Sequence, residues 1–463
     1  MAPTRARRER MIDKWSIFPI SAVVYITIVG PLLSHYQPVQ NIQAAEAEWH
    51  NRIVWPVMAA SSVVLAALNR SYTGKRALPP NIICLLAYVA FAGASVLWSV
   101  KPEFSFIRFT QQAMIVTSII LPAMLAVRTA DVMRSLFLCF ALVSILNVLF
   151  LPGSQEYDYL GIFQGYRGYV SDKNALGQFA AIAFLFALRE IICRGLRQVL
   201  GIIVVVTAII LLVLSHSKTS LGFALFAPFL AGFSLIAGKR MRVSPAIVLL
   251  SIAFCCAALS KLFGFDMYRL AGILYGDPSF SGRKFIWDFA SWEIDRRPFL
   301  GWGYQSFWLT GSDAPSMVEA PGWIKMMPHA HNGYYDTMLQ MGYVGLTLLV
   351  ICILANLHCI GRLADRDPAR AWLMLSLIIF LIFHNFLETS WMWGNDMLWL
   401  VFTVVAAEIG RCWRLYQPTT VTFGLRPSRS TTSDLSRKLR GLGGPTDISG
   451  PHLSLMGGPG LDR

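Results

Sequence analysis

Two histidines lie two positions apart in MPHAHNGYYDTMLQMGYVGL, residues 327–346, and this segment continues into an apolar run. His329 and His331 could be metal ligands, catalytic bases or ordinary polar residues at a membrane surface. A zinc site needs a third and usually a fourth ligand. No H-E-x-x-H motif and no cysteine lies nearby, and the candidate carboxylate, Asp336, lies on the following helix. We therefore expect no metal at this pair.

The neighbours of His331 favour a general base. Pro328 keeps the residue before it extended, and Asn332 is a favoured N-cap for a helix that begins at Gly333. His331 is therefore predicted just before a helix N-terminus. The positive end of the helix dipole there favours a neutral imidazole. A neutral imidazole can accept a proton, as a general base must.

A second group of candidates is cationic, and its members lie close to glycine or serine. They are Arg167 and Lys173 in GYRGYVSDKNALG, Lys218 in LSHSKTSLG, and Arg283 and Lys284 in FSGRKFIW. A single cation at a helix end usually extends to lipid phosphates. Several cations on one membrane face instead indicate a diphosphate site, because guanidinium and ammonium groups can bind a diphosphate jointly. Their small neighbours would let a bulky anion approach.

The elements that position these residues are predicted to be membrane helices. Of the 463 residues, 55% are hydrophobic and 14% are charged, whereas soluble domains have about 25% charged residues. We expect an all-α polytopic integral membrane protein with about twelve transmembrane helices. The apolar segments are 17–33, 53–68, 81–97, 107–126, 132–151, 174–188, 199–214, 220–237, 243–260, 340–360, 371–387 and 396–410.

The formal net charge of +14 could indicate nucleic-acid binding, but its distribution argues otherwise. With the N-terminus in the cytoplasm, 27 of the 40 Lys and Arg residues fall on the cytoplasmic side, and every short loop there is basic. This is the pattern of the positive-inside rule. The charge therefore predicts membrane orientation and no nucleic-acid partner. It places the basic segments 1–16 and 411–463 in the cytoplasm, the second of them predicted to be disordered.

One connection is much longer than the others. Residues 261–339, between the ninth and tenth predicted helices, contain no spanning segment and are predicted to be outside. Loops of this length are usually functional. Nine aromatic residues fall within its stretch RKFIWDFASWEIDRRPFLGWGYQSFW. They indicate an amphipathic helix in the headgroup region, and they could also form a sugar-binding surface, because aromatic rings stack on pyranose faces.

Three stretches resemble the Wzy-type O-antigen ligase and polymerase family. SGRKFIWDFASWEIDRRPFLGWGYQSF is similar to the family's G-R-x-x-x-W segment followed by R-P-x-x-G-x-G, and HAHNGYYDTMLQMGYVGL is similar to its H-x-H-N signature. LSHSKTSLG lies where many members have an S-R motif. With lysine in that place and K-N-A-L-G at 173–177, the chain looks most like the ExoQ-like exopolysaccharide polymerases.

The resemblance implies both an architecture and an activity. Residues 17–410 would form the family's transmembrane domain in the bacterial inner membrane, with 261–339 as a large periplasmic loop. The activity would be transfer of a glycan from undecaprenyl diphosphate to an acceptor sugar hydroxyl, with inversion and without a metal or other cofactor. The implied partners are the lipid-linked oligosaccharide, the bilayer and other exopolysaccharide assembly and export proteins.

The resemblance also implies roles for individual residues. His331 would be the catalytic base and His329 would orient it or bind sugar, while Arg283 would hold the diphosphate. The other residues expected to bind substrate are Lys218, Arg167, Lys173, Lys284 and Asn332.

Three functions remain open at this stage. The chain could be an exopolysaccharide polymerase, a ligase that passes a finished glycan to a lipid core or a protein, or a transporter or flippase of lipid-linked oligosaccharide. A transporter would place ionisable residues in the middle of the membrane. Here the spanning segments have few central charges, and the polar candidate residues lie mainly in one outer loop, which favours an enzyme.

Overall fold

The computed structural model describes residues 17–35, 49–68, 77–125, 132–157, 160–264, 272, 279–280 and 282–415. The predicted N-terminal segment 1–16 and residues 416–463 of the predicted tail lie outside this range. The membrane-length elements are helical throughout, and one short antiparallel hairpin joins two of them. In chain order they are α1 (Ile17–Val24), α2 (Gly30–His35), α3 (Asn51–Leu68), α4 (Pro80–Ala94), α5 (Pro102–Leu125), α6 (Val132–Leu149), β1 (Gln155–Tyr157), β2 (Phe163–Tyr166), α7 (Lys173–Ile191), α8 (Leu196–Leu214), α9 (Lys218–Met241), α10 (Pro245–Phe263), α11 (Arg283–Arg296), α12 (Pro315–Glu319), α13 (Gly333–Ala364), α14 (Pro368–His384) and α15 (Met397–Leu415).

Each of the twelve predicted apolar segments coincides with a helix, with α1 and α2 joined through a π-helical turn at Tyr25–Val29. Within the described ranges, ten segments are long and apolar enough to cross a membrane. The other two are α14, which has 17 residues, and α15, which contains Glu408, Arg411 and Arg414 and continues five residues past the predicted boundary at 410. The predicted all-α polytopic membrane fold is confirmed.

Apolar side chains lie on the outside of the helical body and also fill its interior. Phe229 on α9 is 77% exposed, and Phe254 on α10 is 75% exposed. Proteins surrounded by water rarely expose contiguous apolar surface on this scale, so these faces fit contact with lipid. The interior holds one large cluster of buried apolar side chains to which α4, α6, α7, α13, α14 and α15 contribute.

The long outer segment has a core of its own. Ile286, Phe289 and Ile294 on α11 pack with residues from the loops on either side of α12 and with Leu339 on α13. Six of the nine aromatic side chains in this stretch are buried: Trp287, Phe289, Trp302, Tyr304, Phe307 and Trp308. The expectation that these aromatics anchor in lipid or stack on sugar is therefore wrong for these six, because their side chains are buried: four lie in the core of the outer segment, and Tyr304 packs into the core of the helical body. The remaining three, Phe285, Trp292 and Phe299, are exposed.

Helix α13 is interrupted at Gly342, and the R-P-x-x-G-x-G segment fits into the break. Gly342 has φ 62° and ψ −165°, far from helical values. A Cβ there would lie 2.2 Å from the carbonyl oxygen of Phe299. The amides of Trp302 and Gly303 donate to the carbonyls of Leu339 and Gln340, at 2.8 and 2.9 Å. The motif's backbone therefore satisfies carbonyls that the break releases and fixes the first part of α13, residues 333–341.

Candidate active site

Glu388, in the loop between α14 and α15, joins three of the sequence motifs. Its Oε1 lies 2.5 Å from Nη2 of Arg283 and accepts from Nδ2 of Asn174 at 3.1 Å. Its Oε2 lies 3.0 Å from Nδ1 of His331. A single carboxylate thus connects the G-R segment, the H-x-H-N segment and the K-N-A-L-G run. We refer to Glu388, Arg283, His331 and Asn174 as the Glu388 cluster.

The charge state of Glu388 follows from these partners. Burial by itself would raise the pKa of this carboxyl, because the charged form loses hydration. The hydrogen bond with His331 and the positive charge of Arg283 outweigh burial and lower the pKa to about 2. Glu388 is therefore an anion at neutral pH. An anion in this position stabilises the imidazolium that forms when His331 accepts a proton.

Arg283 is the first residue of α11, and the apolar face of α11 fixes its position. Its guanidinium is 19% exposed, and Glu388 engages only Nη2. Its Nε is buried and has no hydrogen-bond partner within the described residues. A buried guanidinium N–H without an acceptor is costly, and a bound anion would supply one. This geometry fits the predicted contact with a diphosphate.

His331 lies in a backbone conformation that few non-glycine residues adopt, with φ 50°. Such a conformation persists only where the surroundings enforce it. Here the next residue supplies the restraint. Asn332 is the N-cap of α13, as predicted: its Oδ1 accepts from the amides of Tyr334 and Tyr335. Its Nδ2 donates to the carbonyl of Phe386 at 3.0 Å, so the structure shows Asn332 positioning the loop.

The imidazole of His331 is oriented by Glu388. Nδ1 faces Glu388, and the side chain is 25% exposed. Within the part of the chain that the structure describes, Nε2 has no hydrogen-bond partner. The neutral ring stays a prediction, and the arrangement of carboxylate and imidazole is that of a base with an orienting group.

His329 supports His331 through the backbone. Its Nδ1 accepts a hydrogen bond from the amide of His331 at 3.2 Å, which requires that this nitrogen carry no proton. The two rings lie 4.2 Å apart between centroids, and Trp393 covers His329 edge-on at 5.6 Å. Burial, with the neighbouring His331, lowers the pKa of His329 to about 3. A neutral His329 fits the orienting role that the resemblance implies.

Asp336 fixes the same loop. It accepts from Nε1 of Trp308 at 2.7 Å, from the amide of Ala330 at 3.0 Å and from Oγ1 of Thr389 at 2.5 Å. These donors occupy the carboxylate that we considered as a further metal ligand beside the histidines. In the described ranges, no three His, Cys, Asp or Glu side chains are grouped in a way that could hold a metal ion.

The N-terminus of α7 supplies Asn174 to the Glu388 cluster, and Lys173 directly precedes it. Asp172 caps this helix by accepting from the amides of Asn174 and Ala175, and the cap directs Asn174 toward Glu388. The ammonium of Lys173 donates to Oε1 of Gln164 on β2 at 2.9 Å, and its amide donates to Glu156 on β1 at 2.8 Å. The hairpin therefore fixes the position of Lys173, the residue before Asn174.

The other three predicted cations lie less directly at the cluster. Lys218 is exposed at the first turn of α9. Its neighbour Ser217 packs tightly on α7, since a Cβ on Gly177 would lie 2.6 Å from the Cβ of Ser217. Arg167 is exposed just after β2, and Lys284 pairs with Asp288 at 2.7 Å, with both side chains largely exposed. These placements leave their predicted substrate contacts untested.

Sequence reasoning missed Glu388 and Asn174. Glu388 lies in HNFLETSWMWGND, after a helix that was predicted, but a single carboxylate after a membrane segment is an ordinary feature. The signal that could have identified Glu388 was its position, four residues after His384, at the same membrane face as His329 and His331. Only the fold brings it within hydrogen-bond distance of His331, 57 residues earlier in the chain.

Comparisons with known proteins agree with the motifs. Residues 203–350 match the family model described as O-antigen ligase. The exopolysaccharide production protein ExoQ of Rhizobium meliloti (strain 1021) is 24% identical over 301 residues, which is 62% of this chain and 68% of that protein. A protein of Rickettsia conorii, provisionally named a polysaccharide ligase, is 28% identical over 129 residues, which is 27% of this chain and 31% of the relative. These matches confirm the resemblance to the O-antigen ligase and polymerase family and to its ExoQ-like members.

Proposed function

We propose that this protein is an inverting glycosyltransferase that moves an oligosaccharide from undecaprenyl diphosphate to an acceptor sugar hydroxyl. The observation that supports it most is the shared carboxylate: Glu388 contacts a guanidinium suited to a diphosphate and an imidazole suited to a hydroxyl. The reaction needs both groups at one place, because a bond to the diphosphate breaks as a bond to the acceptor forms.

In the proposed reaction, the acceptor hydroxyl attacks the anomeric carbon from the face opposite the diphosphate. Nε2 of His331 takes the hydroxyl proton, and Glu388 stabilises the resulting imidazolium. The bond between the anomeric carbon and the diphosphate oxygen breaks, and the leaving group keeps the electron pair. Arg283 and Lys173 stabilise its negative charge. A single displacement of this kind inverts the anomeric centre and needs no carboxylate nucleophile.

The remaining predicted residues have supporting parts in this proposal. Lys218, Arg167 and Lys284 extend the cationic surface that the polyprenyl diphosphate would meet as it enters from the bilayer. The apolar outer faces of the helices suit a carrier with a long hydrocarbon tail. By the positive-inside argument, the site faces the periplasm and the protein lies in the bacterial inner membrane.

We favour polymerisation of lipid-linked repeat units over ligation. The support is the longer match to a relative named for exopolysaccharide production, over 301 residues. Ligation is the second candidate, because the Rickettsia relatives that match over shorter stretches are named for polysaccharide ligation. The two activities use the same displacement and differ in the acceptor.

A reconstituted assay tests the proposal. Purified protein in nanodiscs is supplied with an undecaprenyl-diphosphate-linked repeat unit, and products are sized by mass spectrometry. Extended lipid-linked glycans support a polymerase, whereas transfer only to an added lipid core supports a ligase. In cells lacking the protein, single repeat units accumulate in the first case and full-length polymer in the second. Movement of the lipid-linked glycan across vesicles without transfer would support the transporter instead.

A further inference from the structure

A cavity of about 610 Å³ lies at the opposite end of the helices from the Glu388 cluster. It is formed by the C-terminal end of α9, the start of α10, the last turns of α13, and Trp413 on α15. His331 lies two residues before the start of α13, and Arg362 lies two residues before its end. At about 1.5 Å per residue, these positions are separated by most of the thickness of a bilayer.

The cavity is cationic, since three basic side chains and one carboxylate line it. Lys239, Arg242 and Arg362 line it, and Asp365 is the carboxylate among its lining residues. In the part of the chain that the structure describes, none of these three cations makes an ion pair or a side-chain hydrogen bond. The guanidinium of Arg362 stacks on the ring of Trp413 at 3.5 Å from its centroid. This contact fixes the planar group and leaves its N–H donors available.

The position and the walls of the cavity suit a lipid. Leu235 and Ile236 form its apolar side, and Ile236 is 72% exposed on the face of α9 that we assign to lipid. The cations lie where apolar helices end, which is the depth of the headgroups. The N-terminus of α10 also borders the cavity, and its N-cap, Ser244, makes no capping hydrogen bond with its side chain. The positive end of the helix dipole there favours a phosphate.

We propose that this cavity binds the phosphate-bearing headgroup of an anionic glycerophospholipid, in the leaflet opposite the active site. Lys239 and Arg242 contact the phosphate, while Arg362, fixed by Trp413, supplies a planar pair of donors. The acyl chains lie along Leu235 and Ile236. Basic pockets between membrane helices commonly hold such headgroups. A free phosphate has the same charge but gains nothing from the apolar wall.

Lipid titration tests the proposal. Full-length protein, delipidated in detergent, is titrated with cardiolipin, phosphatidylglycerol and phosphatidylcholine, and binding is counted by native mass spectrometry. The test variant combines Lys239→Ala, Arg242→Ala and Arg362→Ala. The matched control combines Arg240→Ala, in the last turn of α9, and Arg366→Ala, just after α13; both are exposed cations that do not line the cavity. Each single substitution in the cavity is measured too, so that poor folding of the triple variant does not prevent a result.

We expect the anionic lipids to bind at least tenfold more weakly to the triple variant and unchanged to the control. Phosphatidylcholine should bind weakly to all forms. Equal loss in the test and control variants would overturn the proposal, because it would show only general attraction to a basic face. Full displacement of cardiolipin by millimolar inorganic phosphate would also overturn it and assign the cavity to a soluble phosphate compound.

Discussion

Nδ1 of His331 lies 3.0 Å from Oε2 of Glu388, and the other oxygen of that carboxylate lies 2.5 Å from the guanidinium of Arg283. In the proposed reaction the base and the leaving-group contact therefore share one orienting residue. A change at Glu388 should affect both halves of the transfer. This coupling makes specific predictions for each member of the cluster.

Glu388→Gln should retain the fold and lose most of the activity. The amide has nearly the shape of the carboxylate and can still contact His331, but it cannot stabilise an imidazolium by charge. We expect kcat to fall by about 10²-fold or more, within the range for general-base catalysis, with a smaller effect on KM. Steady-state transfer assays on purified protein measure both constants. An unchanged kcat would remove Glu388 from the mechanism.

Arg283→Ala should abolish transfer and also destabilise the protein, because it leaves the anion of Glu388 without its closest partner. Arg283→Lys restores a positive charge but not the two-pronged guanidinium, so we expect folded protein with little activity. Lys284→Ala is the matched control. Lys284 is the next residue of α11 and pairs at the surface with Asp288, so Lys284→Ala should cost far less activity than Arg283→Ala. Normal polymer from Arg283→Ala at unchanged protein level would contradict the diphosphate contact.

The two histidines should differ in severity. His331→Ala should lose about 10²–10⁴-fold in rate, as expected for removal of a general base. His329→Ala should lose less, because His329 accepts a hydrogen bond from the amide of His331 and acts through it. A metal site would make both changes about equally severe and would make the enzyme sensitive to EDTA. Activity lost in EDTA and restored by zinc would show that the base assignment is wrong.

The protein should lose stability in acid in two stages. The folded-state pKa of His329 is about 3, below the value of about 6.5 for a free histidine, so the unfolded chain binds more protons as pH falls below about 6.5. The folded-state pKa of Glu388 is about 2, below the ordinary carboxyl value. Its contribution to the free energy of unfolding is therefore lost at lower pH, as pH falls from the ordinary carboxyl range toward about 2. We expect His329→Gln to weaken the first stage. Tm measured between about pH 7.5 and 5.5 checks this, and equal slopes for variant and wild type would contradict it.

The membrane architecture could be predicted because one strong physical signal specifies it. A bilayer requires long apolar segments with satisfied backbones, and all twelve such segments in the sequence are helices in the structure. The cap at Asn332 was predictable too, since Asn before an amphipathic or apolar run has a local cause. These features depend on neighbouring residues in the chain.

The parts of the site that were missed depend on distant residues. Glu388 becomes a partner of His331 only after α13 and α14 pack side by side. The glycine at 342 gave no indication that the segment after α11 would fit into a broken helix. The aromatic-rich stretch suggested a surface because periodicity alone does not distinguish a membrane-facing side from one that a loop covers. Tyr304 and Phe307 are fully buried.

The most direct test of the central claim is a double-mutant cycle with His331→Ala, Glu388→Gln and the combined variant, measured as kcat for transfer from a lipid diphosphate donor. If Glu388 acts through His331, then without His331 the carboxylate has no imidazolium to stabilise. The losses in kcat from the two single substitutions are then strongly non-additive. We predict that the combined loss falls well short of the product of the two single losses, and that the loss remaining beyond His331→Ala is the part that Glu388 exerts through Arg283. If the two losses instead multiply in full, Glu388 and His331 act independently and the proposed coupling is wrong.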